Sequence, residues 1–206
     1  MTNKGIVERV DDRTWKIPQD YLDRAQAYDS RRNPQFGVRV LSMLDLDAQI
    51  TANGATWLDR ELLAREMPIR DSGFGLVAQS ALARRERWLI EQGLAKRDGD
   101  MIEYRANLLG TLTRRELAEK GQELAREAGT SFRAAEDGDY ISGRYNGAVD
   151  LVSGKYALVE MRSFEFTLVP WRPVIEKELG RNVAGIMHGD GISWEMGRRR
   201  EIGIGM

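Results

Sequence analysis

The stretch LVAQSALARRERWLIEQGLAKRDGDMIEYR, residues 76–105, decides how the first half of the chain folds. Apolar side chains recur in its first part at spacings of four and seven, which predicts a helix with one buried face over about residues 76–92. Gly93 ends this helix, and Asp98-Gly99 then marks a tight turn between two short strands. The predicted buried face carries Ala78, Leu82 and Leu89.

Two further helices are predicted before this stretch. Residues 37–50 carry a helix-like apolar set, and Thr56 with Asp59 three residues later is close to a capping box at the start of the second helix. The order helix, helix, longer helix, hairpin is that of a winged helix-turn-helix. We therefore predict a winged-helix-like domain over residues 33–133, which ends with another helix from Leu108 to Ala128.

The sequence changes in character after that helix, where short strands with glycine turns replace the helical patterns. We predict a small β-barrel domain, SH3-like or OB-like, over residues 134–206. One short helix is expected between its fourth and fifth strands. The predicted strands are Tyr140–Tyr145, Ala148–Val152, Tyr156–Met161, Phe164–Val169, Asn182–Met187 and Gly191–Met196. The fold class predicted for the whole chain is α+β, with helices first and a barrel second.

The string FTLVPWRP, residues 166–173, joins the fourth of these strands to the short helix. Pro170 cannot donate a ladder hydrogen bond, and Pro173 suits the first position of a helix. The two prolines therefore hold Trp171 and Arg172 in a rigid corner. We expect Trp171 to pack at one end of the barrel and Arg172 to point outward.

The first 32 residues are predicted to form a separate N-terminal segment. Residues 5–17 have the pattern of a hairpin with its turn at Asp11-Asp12, and Pro18 follows as the start of a short helix. We interpret residues 1–32 as the remnant of a preceding domain.

Composition excludes several classes of site. The 206 residues include no cysteine and one histidine, His188, so a thiolate metal site, a cysteine nucleophile and a three-histidine metal centre within this chain are excluded. The net charge of −1 argues against a wholly basic nucleic-acid binder. No apolar run reaches about 18 residues, so we expect no membrane span and no membrane partner. We expect a cytoplasmic protein without a cofactor.

Five strings resemble the C-terminal region of the relaxases, the mobilisation nucleases of bacterial conjugative plasmids. That region is a domain of unknown function within the family. The strings are WKIPQDYLDRAQAYD (15–29), GATWLDREL (54–62), ALARRERWLIEQGLA (81–95), FTLVPWRPVIEKELGR (166–181) and GDGISWEMGRRR (189–200). The resemblance implies that the chain works with DNA and with relaxosome or coupling proteins.

The nuclease domain of that family precedes the region matched by these strings. It nicks one DNA strand with a tyrosine nucleophile and a metal ion held by a histidine cluster. A chain with one histidine cannot hold that cluster, and the metal is needed to polarise the scissile phosphate. We therefore assign no catalytic residue and no metal ligand, and we do not expect an enzyme.

In a winged helix the predicted helix over residues 76–92 would be the recognition helix, and the hairpin after it would be the wing. Both supply candidates for DNA contact, because their polar side chains suit base edges and phosphates. A second set surrounds the proline corner and the end of the chain, where arginines beside tryptophans suit single-stranded DNA. The candidate DNA-binding residues are Gln79, Ser80, Arg84, Arg87, Lys96, Arg97, Arg172, Arg198, Arg199 and Arg200.

Two functions stay open at this point. Between Arg70 and Arg105, seven basic residues face six acidic ones, so the same surface also fits an ordinary solvated face. The first function is a non-catalytic DNA-binding or DNA-processing module of the relaxosome, which positions DNA or partner proteins. The alternative is an interaction module that docks relaxosome or coupling proteins without direct DNA contact.

Overall fold

The computed structural model describes residues 42–64, 72–161 and 164–195, and the backbone of two short strands nearer the N-terminus. The chain divides into two compact units, residues 1–43 and 44–206. The described helices and the large sheet belong to the second unit.

The first unit contains a two-stranded antiparallel sheet. Strand β1 (Glu8–Arg9) pairs with β2 (Trp15–Lys16), and Arg9 lies opposite Trp15. This pairing confirms the hairpin predicted over residues 5–17. The predicted turn at Asp11-Asp12 and the predicted helix after Pro18 lie outside the described residues.

Three helices begin the second unit, and the first is shorter than predicted. They are α1 (Leu46–Thr51), α2 (Trp57–Ala64) and α3 (Phe74–Glu91). Residues 42–45 are not helical, because Asp45 is the cap of α1 and its carboxylate accepts a hydrogen bond from the Ala48 amide at 2.7 Å. The rest of the helix predicted over residues 37–50 lies outside the described residues.

The capping box at the start of α2 is confirmed. The Thr56 amide donates to Asp59 Oδ2 at 2.7 Å, and the Asp59 amide donates to Thr56 Oγ1 at 3.3 Å. Both residues are buried. The reciprocal bonds satisfy two backbone donors that a helix start leaves free, so they fix where α2 begins.

Arg85 of α3 is fully buried and links the three helices. Its guanidinium forms a bidentate ion pair with Asp59, with Nε–Oδ1 at 2.8 Å and Nη2–Oδ2 at 2.9 Å. The remaining donors reach backbone carbonyls at the end of α1 and in the following loop, those of Ile50 at 3.0 Å, Ala52 at 2.8 Å and Gly54 at 3.2 Å. All five N–H groups of the guanidinium therefore have acceptors.

A β-hairpin and a long helix follow α3. Strand β3 (Ala95–Asp98) pairs with β4 (Met101–Tyr104), so the loop residues are Gly99 and Asp100, one residue later than predicted. The reason is the positive φ of 57° at Gly99, which places the glycine at the first loop position. Helix α4 runs over Leu108–Ala128, the predicted bounds.

The rest of the chain forms a six-stranded sheet in the order β10-β9-β6-β7-β8-β5. Its neighbours are antiparallel, except that β5 runs parallel to β8. The strands are β5 (Ser131–Phe132), β6 (Tyr140–Asp150), β7 (Lys155–Glu160), β8 (Glu165–Pro170), β9 (Asn182–His188) and β10 (Gly191–Trp194). The short helix predicted between β8 and β9 is a 3-10 helix over Pro173–Glu178.

Strand β6 combines two strands that the sequence analysis separates. Its first half pairs with β9 and its second half with β7, and the register shifts between Tyr145 and Gly147. Gly147 has a φ of 128°, which lets the chain pass through a bulge and continue as one bent strand. The predicted break between Tyr145 and Ala148 was therefore wrong.

The sheet is packed on both faces. One face surrounds a core with Tyr145, Val169 and Ile175, and the other face packs Phe166 and Leu168 against α4. Strand β8 is buried on both sides, which explains why its sequence FTLV lacks polar alternation apart from Thr167.

The structure shows an α+β chain in which helices precede a six-stranded sheet. Cα atoms of β10 lie within 8 Å of Cα atoms of β8, so the sheet curls. In the described strands, however, neither β10 nor β5 pairs with a strand that would close the sheet. The predicted SH3-like or OB-like closed barrel is therefore not confirmed.

Helix α4 also holds the turn between β6 and β7. Glu116 accepts hydrogen bonds from the amides of Val152 at 2.7 Å and Ser153 at 3.0 Å. The Ser153 hydroxyl in turn accepts from the Ala55 amide at 2.8 Å. A Cβ on Gly54 would lie 2.3 Å from Glu116 Oε2, so the loop before α2 lies directly against this carboxylate. The domain boundary predicted between residues 133 and 134 falls within the second compact unit, residues 44–206.

Because of Tyr156 on β7, we expect the protein to lose stability at high pH. Burial raises the pKa of its phenol to about 12, and the Glu116 charge adds to the rise. The folded protein therefore keeps this proton to a higher pH than the unfolded chain, whose tyrosines titrate near pH 10. The contribution of the protonated Tyr156 to the free energy of unfolding is fully present below about pH 10 and is lost as the pH rises toward 12.

We expect the free energy of unfolding of the wild type to fall by roughly 2 kcal/mol more than that of Tyr156→Phe between about pH 9 and pH 12. Urea unfolding of both proteins at a series of pH values measures this difference. Equal losses in the two proteins would contradict the assignment to Tyr156.

Candidate nucleic-acid interface

The exposed face of α3 carries the predicted DNA-contacting side chains. Gln79, Ser80, Arg84 and Arg87 are all exposed, whereas the opposite face buries Ala78 and Leu89 as predicted. Leu82, the third residue of the predicted buried face, is half-buried against the core between α1, α2 and α3. The division of α3 into a buried and an exposed face is thus confirmed.

One candidate arginine of this helix, Arg84, is held by a carboxylate that sequence reasoning did not assign to it. Arg84 Nη1 lies 2.7 Å from Oδ1 of Asp47 on α1, in a surface ion pair. Glu86, which lies between Arg85 and Arg87 in the sequence, accepts a hydrogen bond from the Tyr104 hydroxyl at 2.8 Å. Within the described ranges Arg87 has no acidic partner, so it is the arginine of α3 that remains available for a phosphate.

The β3–β4 hairpin adds two further cations next to α3. Lys96 and Arg97 on β3 are exposed, and neither forms an ion pair with any described residue. Lys96 lies opposite Glu103 in the hairpin register, which lowers the local positive potential. A cavity of about 310 Å³ at the base of the β3–β4 hairpin is lined by Lys96, Glu103 and Arg105.

The first turn of α3 exposes apolar side chains instead of polar ones. Phe74, Leu76 and Val77 are 69%, 54% and 57% exposed. In helix-turn-helix proteins the N-terminal residues of the recognition helix contact base edges. The first turn of α3 lacks polar side chains for such contacts, while the cations lie toward its other end and on the β3–β4 hairpin.

The proline corner lies on the sheet rather than on the helices. Trp171 is half-buried against the core that contains Tyr145, and its Nε1 donates to the Tyr145 hydroxyl at 3.1 Å. The Lys155 ammonium lies 4.2 Å from the ring centroid of Trp171, so one ring face is already covered. Arg172 is exposed, as expected. It can therefore contact a ligand even if Trp171 does not stack on that ligand.

The three arginines near the end of the chain are also sequence candidates. Arg198, Arg199 and Arg200 lie outside the described residues. His188 is exposed at the end of β9. Over the described ranges there is no group of three histidine, cysteine, aspartate or glutamate side chains that could hold a metal ion. None of the helices described has both the length and the apolar composition needed to cross a membrane.

Sequence reasoning missed the two charged residues that are most strongly held. Arg85 and Asp59 are fully buried and paired, although both types are mostly exposed in proteins. A signal was present, because Arg85 lies four residues from both Ala81 and Leu89 on the apolar side of α3.

Comparison with known protein families identifies a match over nearly the whole chain. A family model described as "Protein of unknown function (DUF3363)" matches residues 1–203. No curated protein and no solved structure matches the chain.

Proposed function

The chain belongs to the DUF3363 family, and from that starting point we propose that it is a non-catalytic DNA-binding module of the conjugative relaxase machinery. The observation that carries the proposal is the set of three exposed cations on α3 and the wing, Arg87, Lys96 and Arg97. Each lacks an acidic partner in the part of the chain that the structure describes. Such cations can bind phosphates because no described carboxylate holds them in an ion pair, although Glu103 opposite Lys96 lowers the local positive potential.

The arrangement of elements supports this reading. Helices α1, α2 and α3 followed by the β3–β4 hairpin have the order of a winged helix, in which α3 is the recognition helix and the hairpin is the wing. The curled sheet, with a 3-10 helix between β8 and β9, is in the same way interpreted as an open SH3-like barrel. The resemblance of five strings to the relaxase C-terminal region supplies the biological setting. In that setting the module positions the DNA or a relaxosome partner.

The test replaces the three available cations together. We expect Arg87→Ala/Lys96→Ala/Arg97→Ala to weaken DNA binding by roughly tenfold or more at low salt, and to reduce the slope of log affinity against log salt by up to about 3. Fluorescence anisotropy with labelled single- and double-stranded DNA at two salt concentrations measures both quantities. Arg84 is left in place because Asp47 already holds it.

A matched control removes the same charge from another surface. Arg114→Ala/Arg115→Ala/Arg126→Ala changes three exposed cations on α4. An equal loss of binding in this control would show that net charge and not the α3–wing surface holds the DNA. Failure of the wild type to bind either form of DNA at low salt would overturn the proposal itself.

The alternative is an interaction module that docks relaxosome or coupling proteins. The observation in its favour is the exposed apolar start of α3, at Phe74, Leu76 and Val77. A pull-down with relaxosome and coupling proteins separates the two functions. Capture of such a protein by a chain that binds no DNA would favour the alternative.

A further inference from the structure

A groove lies between the end of α4 and the outer face of the sheet, away from the α3–wing surface. Its volume is about 380 Å³. Leu124, Leu158 and Phe166 form the apolar part of its lining, and they come from α4, β7 and β8. This volume fits one or two long side chains of an extended segment.

The polar part of the lining is acidic. Glu127 of α4, Glu160 of β7 and Glu165 of β8 all line the groove. None of the three forms an ion pair with a described residue. Arg144 is the cross-strand neighbour of Glu160, but its Nε donates instead to the Gly180 carbonyl at 3.1 Å. Among the described residues, the three carboxylates around this apolar floor therefore have no cation of their own.

Two further polar groups line the same groove. Asn146 holds Glu160 in place, because its amide nitrogen donates to Glu160 Oε2 at 2.7 Å. The Thr130 hydroxyl is buried and has no hydrogen-bond partner among the described residues. Carboxylates around an apolar lining suit a guanidinium group, because its planar fork can form two parallel hydrogen bonds with a carboxylate.

We propose that this groove binds an arginine-containing segment of a partner protein. The aliphatic part of an arginine side chain packs on Leu124, Leu158 and Phe166, and its planar guanidinium bonds to the glutamate carboxylates. Nucleic acid is excluded as the occupant because its phosphates would meet three unneutralised carboxylates. The proposal uses a different surface from the DNA-binding proposal, so either can fail without the other.

The experiment uses the full chain and a fluorescein-labelled peptide of alternating arginine and leucine residues. A second peptide carries citrulline, a neutral arginine isostere, in place of each arginine. We expect the arginine peptide to bind and the citrulline peptide to bind at least about tenfold more weakly. We also expect Glu127→Gln/Glu160→Gln/Glu165→Gln to bind the arginine peptide about tenfold more weakly than the wild type.

Matched variants decide whether the groove itself is responsible. Glu91→Gln/Glu103→Gln/Glu176→Gln removes three exposed carboxylates elsewhere and is expected to change the affinity by no more than roughly twofold. An equal loss in this control, or equal binding of the citrulline peptide, would overturn the proposal. Arg198→Ala/Arg199→Ala/Arg200→Ala tests the chain's own arginines as the occupant. A marked gain in peptide affinity in that variant would also contradict a partner segment.

Discussion

Replacing Arg85 with methionine is expected to lower the free energy of unfolding by about 3–5 kcal/mol, the range for breaking a buried ion pair by removing one partner. The variant leaves the Asp59 carboxylate buried without its cation, and it leaves three backbone carbonyls around α1 without their donors. Urea unfolding followed by circular dichroism measures the change. A loss below about 1 kcal/mol would show that the network does not hold α1, α2 and α3 together.

The neighbouring arginine provides a control of the same type. Arg84 also pairs with an aspartate, but its side chain is 55% exposed and that of Asp47 is 83% exposed. Because exposed pairs contribute little, Arg84→Met should change stability by no more than about 0.5 kcal/mol. The double variant Arg85→Met/Asp59→Asn should be more stable than Arg85→Met, since the asparagine removes the uncompensated charge and keeps an oxygen for the Thr56 amide.

Glu116→Ala is expected to destabilise the protein by roughly 2–4 kcal/mol, because two amides of the β6–β7 turn lose a charged acceptor. The same change leaves a void beside Gly54 and frees the turn from α4. We expect the helical part and the sheet to unfold in one transition in the wild type. In Glu116→Ala the transition should broaden or divide, which fluorescence and circular dichroism recorded together would show.

Glu119→Ala is the control for this second change. Glu119 lies on the same helix and accepts a hydrogen bond from Asn53 at 2.8 Å, but this contact is exposed. We expect a loss of no more than about 1 kcal/mol. If Glu119→Ala proves as destabilising as Glu116→Ala, the bonds to Val152 and Ser153 are not the main link between α4 and the sheet.

Local patterns predicted much of the helical part. The bounds of α4, the buried face of α3 and the capping box of α2 depend on residues within a few positions of each other, so the sequence alone contains the information. The joined strand β6 was missed because a glycine bulge looks like a turn in sequence. The parallel strand β5 was missed because it consists of only two residues, Ser131 and Phe132, whose pairing partners lie far along the chain.

In the candidate site, too, local features could be predicted from the sequence, whereas contacts between distant residues could not. The exposure of three cations could be predicted from the sequence. Arg87 lies on the helix face opposite the apolar residues of α3, and Lys96 and Arg97 lie on a short hairpin. The pairing of Arg84 with Asp47 joins two different helices, and no spacing in the sequence predicts it. The three glutamates of the groove come from α4, β7 and β8. Side chains from three elements meet only in the tertiary fold.

The position of β8 also governs how this protein resists aggregation. Its sequence EFTLVP has one charged residue, at the start, and the apolar residues that follow suit intermolecular strand pairing. In the native sheet β8 lies between β7 and β5, α4 covers one of its faces, and Pro170 at its end cannot donate a hydrogen bond. The edges are instead formed by two short strands, β5 and β10, which offer few free backbone groups to another molecule. Self-association through β8 therefore requires the sheet to unfold first, so stability of the fold and solubility of the protein depend on the same contacts.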